Sequence, residues 1–101
     1  MSRVELAPEV LEDFDRFLAH MARFKIPDVP VRIHEIVQTL ELLNHSPLIG
    51  RPVGGGKLEL VIGRDARGYV AQYRYVPSID RAFVLAIRSQ REEAYRRSRP
   101  G

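Results

Sequence analysis

Residues 84–97, VLAIRSQREEAYRR, begin as an apolar run and end in a cluster of cations. The apolar part is typical of a buried strand, so the charged groups follow directly where the core ends. They are four arginines and one phenol: Arg88, Arg91, Arg96, Arg97 and Tyr95. Guanidinium groups fork onto phosphate or carboxylate and stack on bases. The segment therefore predicts contact with an anionic partner.

The charge of the whole chain follows the same pattern. Residues 1–46 carry five basic and eight acidic residues, whereas residues 47–101 carry eleven basic and five acidic ones. Fourteen of the sixteen cations are arginine. A GC-rich genome would explain the preference for arginine, but not its collection in one half. The asymmetry indicates a polyanionic partner for the second half.

Length and composition exclude several classes of protein. At 101 residues the chain is predicted to form a single domain over 1–101. It has no cysteine, and His20, His34 and His45 lack the close spacing of metal ligands, so we expect no metal and no cofactor. No apolar run approaches the roughly 20 residues of a membrane span, which makes the cytoplasm the default location.

Two amphipathic helices are predicted in the first half. Pro8 suits a first helical turn, and apolar residues recur at helical spacing through about Phe24. Pro27 and Pro30 are expected to end this helix and to hold an extended connector. The second helix fades at residues 44–47, NHSP. A short connector between two such helices predicts a helical hairpin.

The second half predicts a three-strand meander over residues 58–62, 69–75 and 83–87. Residues 48–57, LIGRPVGGGK, are expected to form a mobile loop, and their GGG lacks the ending of a phosphate-binding loop. With a short first strand at Val4 and Leu6, this order predicts an α+β domain whose helical hairpin covers one face of a mostly antiparallel sheet. The tyrosines of residues 69–75 are expected to line the other, open face.

Three segments carry a resemblance to a known family. Residues 47–53 (PLIGRPV), 58–75 (LELVIGRDARGYVAQYRY) and 83–95 (FVLAIRSQREEAY), together with the opening LAPEVLEDF at 6–14, resemble the RelE/ParE superfamily of toxins. The resemblance implies the toxin of a type II toxin–antitoxin operon, often linked to plasmid stabilisation. It also implies a cognate acidic antitoxin that neutralises the toxin in a hetero-oligomer.

The superfamily contains two mechanisms. RelE-like members cleave messenger RNA in the ribosomal A site without a metal, and ParE-like members poison DNA gyrase without catalysis. Such cleavage needs a base, cations for the phosphate and an acid for the leaving oxygen. The resemblance assigns these catalytic roles to Tyr95, Arg91 and Arg88. Further contacts to RNA or another target are expected at four cations: Lys57, Arg64, Arg67 and Arg74.

Two departures weaken the nuclease interpretation. RelE-like sequences read Gly-Tyr-Arg where this chain has Val70 after Gly-Tyr, and relatives often carry histidine at the position of Ser89. Tyr95 could equally pack, with Arg91 pairing a nearby glutamate. A gyrase inhibitor needs only a complementary surface, although no residue marks a gyrase site. The sequence favours ribosome-dependent cleavage because Arg88, Arg91 and Tyr95 cluster.

An antitoxin of this kind is expected to pair with the basic sheet and to lay apolar anchors over the helical hairpin. The contacts predicted for it are Phe14, Phe17, Leu18, Tyr73 and Arg88. A decayed copy, or one that only binds antitoxin, is the third interpretation.

Overall fold

The computed structural model describes residues 2–63 and 68–90. Two helices and five strands follow one another within these residues. In chain order they are β1 (Arg3–Leu6), α1 (Pro8–Arg23), α2 (Val29–Glu41), β2 (Arg51–Gly54), β3 (Lys57–Ile62), β4 (Tyr69–Val76) and β5 (Arg81–Ser89). Neither helix is long and apolar enough to cross a bilayer.

The described strands form one mixed sheet in the order β1-β5-β4-β3-β2. β1 runs parallel to β5, and β2 to β5 form an antiparallel meander. A parallel pair such as β1 and β5 requires a long connection that carries the chain across the sheet. The helical hairpin, which lies between β1 and the meander in the chain, is part of that connection. The expected α+β class is therefore confirmed, with one more strand than the sequence predicted.

Helix α1 packs on the sheet through a face that contains one carboxylate. Its buried face is formed by Val10, Asp13, Phe17 and Met21, at the three- and four-residue spacing of one helical side. Pro8 stands in the first turn, where its missing N–H is not needed. Three of these positions are apolar, so Asp13 is a carboxylate placed in a row that packs on the sheet.

The connector between the helices differs from the extended form expected. Pro30 lies in the first turn of α2, and the preceding Asp28 and Lys25 have φ of 61° and 50°. Left-handed residues reverse the chain in a few positions, and Asp tolerates this region better than most residues. The two helices are therefore joined by a tight turn.

The core lies between the helices and one face of the sheet. Tyr73 is completely buried, and Tyr69 and Tyr75 pack against the same cluster. The Tyr69 ring lies 4.9 Å from the ring of Phe17 on α1. The expectation that the tyrosine row lines the open face is therefore wrong. Moving a large, mostly apolar ring out of water and under the helices lowers the free energy of the folded protein.

Residues 48–57 form more regular structure than a mobile loop. β2 and β3 make a hairpin in which Gly54 pairs with Lys57, so Gly55 and Gly56 are the two loop residues. Their φ values of 62° and 73° fit a type I′ turn, which needs positive φ at both central positions. The glycines that indicate a loop from composition alone are thus the residues that this hairpin requires.

Candidate functional site

Asp13 is the centre of a charged cluster at the contact between α1 and β5. Its residue is only 4% exposed. Oδ1 accepts hydrogen bonds from Arg88 Nη1 at 2.9 Å and from Arg16 Nη1 at 2.8 Å, and Oδ2 accepts the backbone N–H of Ile87 at 2.9 Å. A buried carboxylate is stable only when its charge and lone pairs are satisfied, and here both oxygens are bonded.

This cluster closes a free edge of the sheet. β1 pairs with residues 81–84 of β5, so among the described strands nothing pairs with the rest of β5 on that side. Asp13 takes the Ile87 N–H there, and the guanidinium groups of Arg88 and Arg16 donate to the Ile87 carbonyl at 3.3 and 3.4 Å. These side chains thereby bond to the N–H and carbonyl of Ile87, which could otherwise pair with another strand.

The Arg88 side chain, predicted to be catalytic, is held in this cluster and is 22% exposed. Arg91 and Tyr95 lie outside the described residues, as do Arg64 and Arg67. Of the three groups proposed for catalysis, the described part of the chain therefore contains one, and its guanidinium group is already engaged by a carboxylate. The signal for this pairing was present in the sequence as an acid on the apolar side of α1.

Lys57 and Arg74 lie together at the opposite end of the sheet. Leu58 on β3 pairs with Tyr73 on β4, and the two strands are antiparallel. Lys57 and Arg74 are therefore the next residues beyond that pair, at the same end of the two strands. Both side chains point to the face away from the helices, the outer face, which consists of residues 57, 59 and 61 of β3 and 70, 72 and 74 of β4. Both residues are exposed, and Arg74 Nη2 donates to the Gly55 carbonyl at 3.0 Å.

The predicted cations therefore form two groups. Arg88 pairs with Val70, which pairs with Val61, four residues beyond Lys57 on β3. At roughly 3.3 Å per residue this places Arg88 about 13 Å from Lys57 along the strands, besides two strand spacings across them. One continuous basin made of Arg88, Lys57 and Arg74 does not fit this register.

Other charges near the outer face are neutralised in pairs. Arg51 Nη2 contacts Glu59 Oε1 at 2.9 Å, and Arg81 Nη1 contacts Glu5 Oε1 at 2.6 Å. Among residues 2–63 and 68–90, no three histidine, aspartate or glutamate side chains gather in a way that could hold a metal ion.

An apolar stripe runs along the solvent side of α1. Leu11 and Leu18 are 61% and 43% exposed, and Phe14 between them is half-buried. Their spacing of three and four residues places them on one helical side. Phe17 and Tyr73 are buried in the core and offer a partner no surface, which corrects the antitoxin contacts predicted for these two residues. Leu11 was not among the predicted contacts, although its spacing from Phe14 and Leu18 places it on the same stripe.

Two tyrosines tie the ends of the sheet to the loops. Tyr73 is buried, which raises the pKa of its phenol, and its oxygen accepts the Gly50 N–H at 2.8 Å. Tyr75 donates its hydroxyl to Asp80 Oδ1 at 2.6 Å, and Ser2 donates to the same oxygen at 2.7 Å. These bonds lower the pKa of Asp80, and the bond to the carboxylate raises the pKa of Tyr75.

Comparison with known families places these features in context. The model of the ParE toxin of the type II toxin–antitoxin system, parDE, matches residues 4–94, from β1 into the arginine-rich end. The chain belongs to the ParE toxin family. No curated protein and no solved structure matches it significantly.

Membership of the ParE toxin family identifies the chain as the toxin of a type II toxin–antitoxin system. A cognate antitoxin is its partner. The family match is compatible with either target, gyrase or translated messenger RNA, so the choice between them depends on the side chains.

Proposed function

We propose that this ParE-family toxin inhibits DNA gyrase by binding it, without a catalytic step of its own. Binding requires a complementary surface, whereas RNA cleavage requires an acid, a base and free cations around one phosphate. The observation that carries the proposal is the engagement of Arg88 by the buried carboxylate of Asp13 at 2.9 Å.

Arg88 has a structural explanation that needs no substrate. It bonds to Asp13 and to the Ile87 carbonyl, and both contacts fasten α1 to the free edge of β5. To contact a phosphate, the guanidinium group would have to leave a carboxylate that is 4% exposed. Because the Arg88 side chain is 22% exposed, we assign about 1 kcal/mol to this pair, below the roughly 3–5 kcal/mol of fully buried pairs.

The position of the missing RelE-like arginine supports the same proposal. Val70 is 3% exposed and lies between Val61 and Arg88 in the sheet register. The chain therefore places a buried apolar side chain where a nuclease of this superfamily would place a cation. Of the three residues assigned to catalysis, Arg91 and Tyr95 would then have to carry the ribosome-dependent RNA cleavage that the sequence favours.

We assign the antitoxin contact to the apolar stripe of α1. Leu11, Phe14 and Leu18 present an apolar surface on one helical side, which suits an amphipathic segment laid across it. Burying one leucine side chain from water contributes about 1.5 to 3 kcal/mol, so three such contacts can anchor a partner. The other predicted antitoxin contact, Arg88, is engaged within the toxin.

The deciding experiment measures both activities with the same purified toxin. Relaxed plasmid, ATP and gyrase report supercoiling and trapped cleavage complexes, and a translating extract with primer extension reports cuts in messenger RNA. We expect loss of supercoiling with intact RNA. Codon-phased RNA cuts with normal supercoiling would overturn the proposal.

Variants of Arg91 and Tyr95 add a control to this experiment. Arg91→Ala and Tyr95→Phe would each remove RNA cleavage if the chain were a nuclease, since both would act on the phosphate. If the protein acts by binding gyrase, Tyr95→Phe keeps most of its inhibitory effect because the change removes only a hydroxyl group.

A further inference from the structure

The turn of the β2–β3 hairpin is a backbone surface nearly free of side chains. Gly54, Gly55 and Gly56 are consecutive, exposed, and all at positive φ. A Cβ at Gly54 or Gly55 would meet no atom within 4 Å, so these positions face open space. Glycines in such a turn allow another molecule to approach the backbone closely.

Two cations flank this turn. Arg74 Nη2 bonds to the Gly55 carbonyl, which holds the guanidinium group beside the turn, with Nη1 3.6 Å from the position of a Cβ on Gly56. Lys57 is the residue directly after the turn and is exposed. Within residues 2–63 and 68–90, no carboxylate forms an ion pair with Lys57 or Arg74, whereas the nearby Arg51 is paired with Glu59.

The backbone of the turn adds donors to these charges. In a two-residue hairpin turn, the flanking residues, here Gly54 and Lys57, make the closing bond. The N–H groups of Gly55 and Gly56 are left for other partners. The turn thus carries two N–H groups that make no bond within it, next to the exposed Lys57 and the Arg74 guanidinium group, and all of these groups favour an anion.

The hairpin edge does not suit a peptide strand. β2 has four residues, contains Pro52, and shows a register shift between Pro52 and Gly54. Proline removes a donor from the edge and a bulge interrupts its repeat, and both oppose the addition of another strand. The features that remain, two cations and a bare turn, suit the regularly spaced phosphates of a nucleic acid.

We propose that the turn Gly54–Gly56, with Lys57 and Arg74, binds the sugar–phosphate backbone of double-stranded DNA. This inference rests on the proposed action on gyrase, because the substrate of that enzyme is double-stranded DNA. The narrow glycine turn approaches the backbone, while Lys57 and Arg74 each neutralise one phosphate. The contact positions the toxin on the duplex and reads no sequence.

The test is equilibrium binding of the purified toxin to a short fluorescein-labelled DNA duplex, followed by anisotropy at several salt concentrations. Each phosphate contact contributes about −0.9 to the slope of log K against log salt. The double variant Lys57→Gln/Arg74→Gln should bind more weakly, with a slope shallower by about 1.8. Raising salt from about 50 to about 200 mM weakens the binding of both proteins. The factor by which the binding constant falls should be about 12 times smaller for the double variant than for the wild type.

Arg23→Gln is the matched control, because it removes one exposed cation from the helical layer. It should leave the slope unchanged. A double variant with the slope of the wild type, or a fall in slope of about 0.9 with Arg23→Gln, would overturn the inference. Preference for single-stranded RNA of equal length over the duplex would overturn it as well.

The outcomes separate this inference from the proposed function. A toxin that inhibits gyrase but binds no duplex at low salt refutes the DNA contact alone. DNA binding that depends on Lys57 and Arg74, in a toxin without effect on gyrase, refutes the gyrase proposal and leaves the hairpin contact in place. Thermal melts of each variant establish that the compared proteins are folded.

Discussion

Replacing Asp13 by alanine is expected to destabilise the fold strongly. The change leaves the Ile87 N–H without its acceptor, which costs about 1–3 kcal/mol for a buried group. It also removes the carboxylate from Arg88, which is 22% exposed, and from Arg16, which is 45% exposed. Exposed pairs contribute little, so we assign about 1 kcal/mol to Arg88 and less to Arg16.

The sum is a loss of about 3 kcal/mol in the free energy of unfolding, or a fall of about 12–24 °C in Tm for a domain of this size. Urea unfolding followed by far-UV circular dichroism measures it. Asp13→Asn should lose about half as much, because one amide oxygen can still accept the Ile87 N–H. The matched control is Asp15→Ala, an exposed acid on the same helix, which should change stability by less than about 0.5 kcal/mol.

A double-mutant cycle identifies the partner that matters. Asp13→Ala combined with Arg88→Ala should show a coupling energy of about 1 kcal/mol, and the cycle with Arg16→Ala should show less than about 0.5. Loss of under about 1 kcal/mol in Asp13→Ala, or a larger coupling to Arg16, would refute this explanation of the cluster. If Arg88 is structural, folded Arg88→Ala toxin keeps its effect on gyrase.

Four further changes test other parts of the molecule. Gly50→Ala should lower the free energy of unfolding by about 1–3 kcal/mol in urea titrations, because its Cβ would lie 2.7 Å from the ring and hydroxyl of buried Tyr73. The lowered pKa of Asp80 predicts stability that is present above its usual value of 3.8 and lost as pH falls further, and acid titration of Asp80→Asn should show a smaller loss. The raised pKa of Tyr75 predicts a contribution to stability that is lost as pH rises above about 10, so Tyr75→Phe should show a smaller loss in alkaline unfolding, while the raised pKa of Tyr73 leaves part of that loss in place. Leu18→Ser should weaken capture of the toxin by its antitoxin about three- to tenfold in a binding titration, because burying the exposed 43% of this side chain contributes about 0.6–1.3 kcal/mol.

Each of these changes has an outcome that would contradict its reasoning, which for Tyr75→Phe is an unchanged alkaline transition. Gly50→Ala with unchanged stability would mean that the loop shifts to admit a methyl group. An unaltered acid transition in Asp80→Asn would remove the carboxylate from the account of acid stability. Asn tolerates the left-handed backbone of residue 80, where φ is 49°, so that variant tests charge rather than strain. Equal antitoxin affinity in Leu18→Ser would place the partner elsewhere.

The periodic spacing of apolar residues predicted the elements whose buried and exposed residues alternate regularly within one segment. α1 shows apolar residues at helical spacing, and β3 and β4 alternate, so the class and order of these elements were correct. β2 was missed because Pro52 and three glycines resemble a loop in composition. Its strand form depends on pairing with β3, which no local pattern records.

Residue spacing could not predict which face of the sheet, covered or open, carries the tyrosines. It could not predict the role of Arg88 either. A strand shows which residues share a face, but only packing shows which face the helices cover. Tyr73 therefore looked equally suited to an exposed surface and to the core. Arg88 meets Asp13 across 75 positions in the chain, and a contact of that kind depends on where α1 crosses β5.

The amino-acid sequence by itself determined the α+β class, the helical hairpin, the basic second half and the toxin family, because each depends on local periodicity, composition or ordered motifs. Only the tertiary structure decided which cations of the described residues are engaged by a carboxylate. The carboxylate of a buried aspartate engages Arg88, and the fold leaves Lys57 and Arg74 beside an exposed glycine turn. Charge is a property of the residue, whereas its availability depends on the groups that the fold places next to it.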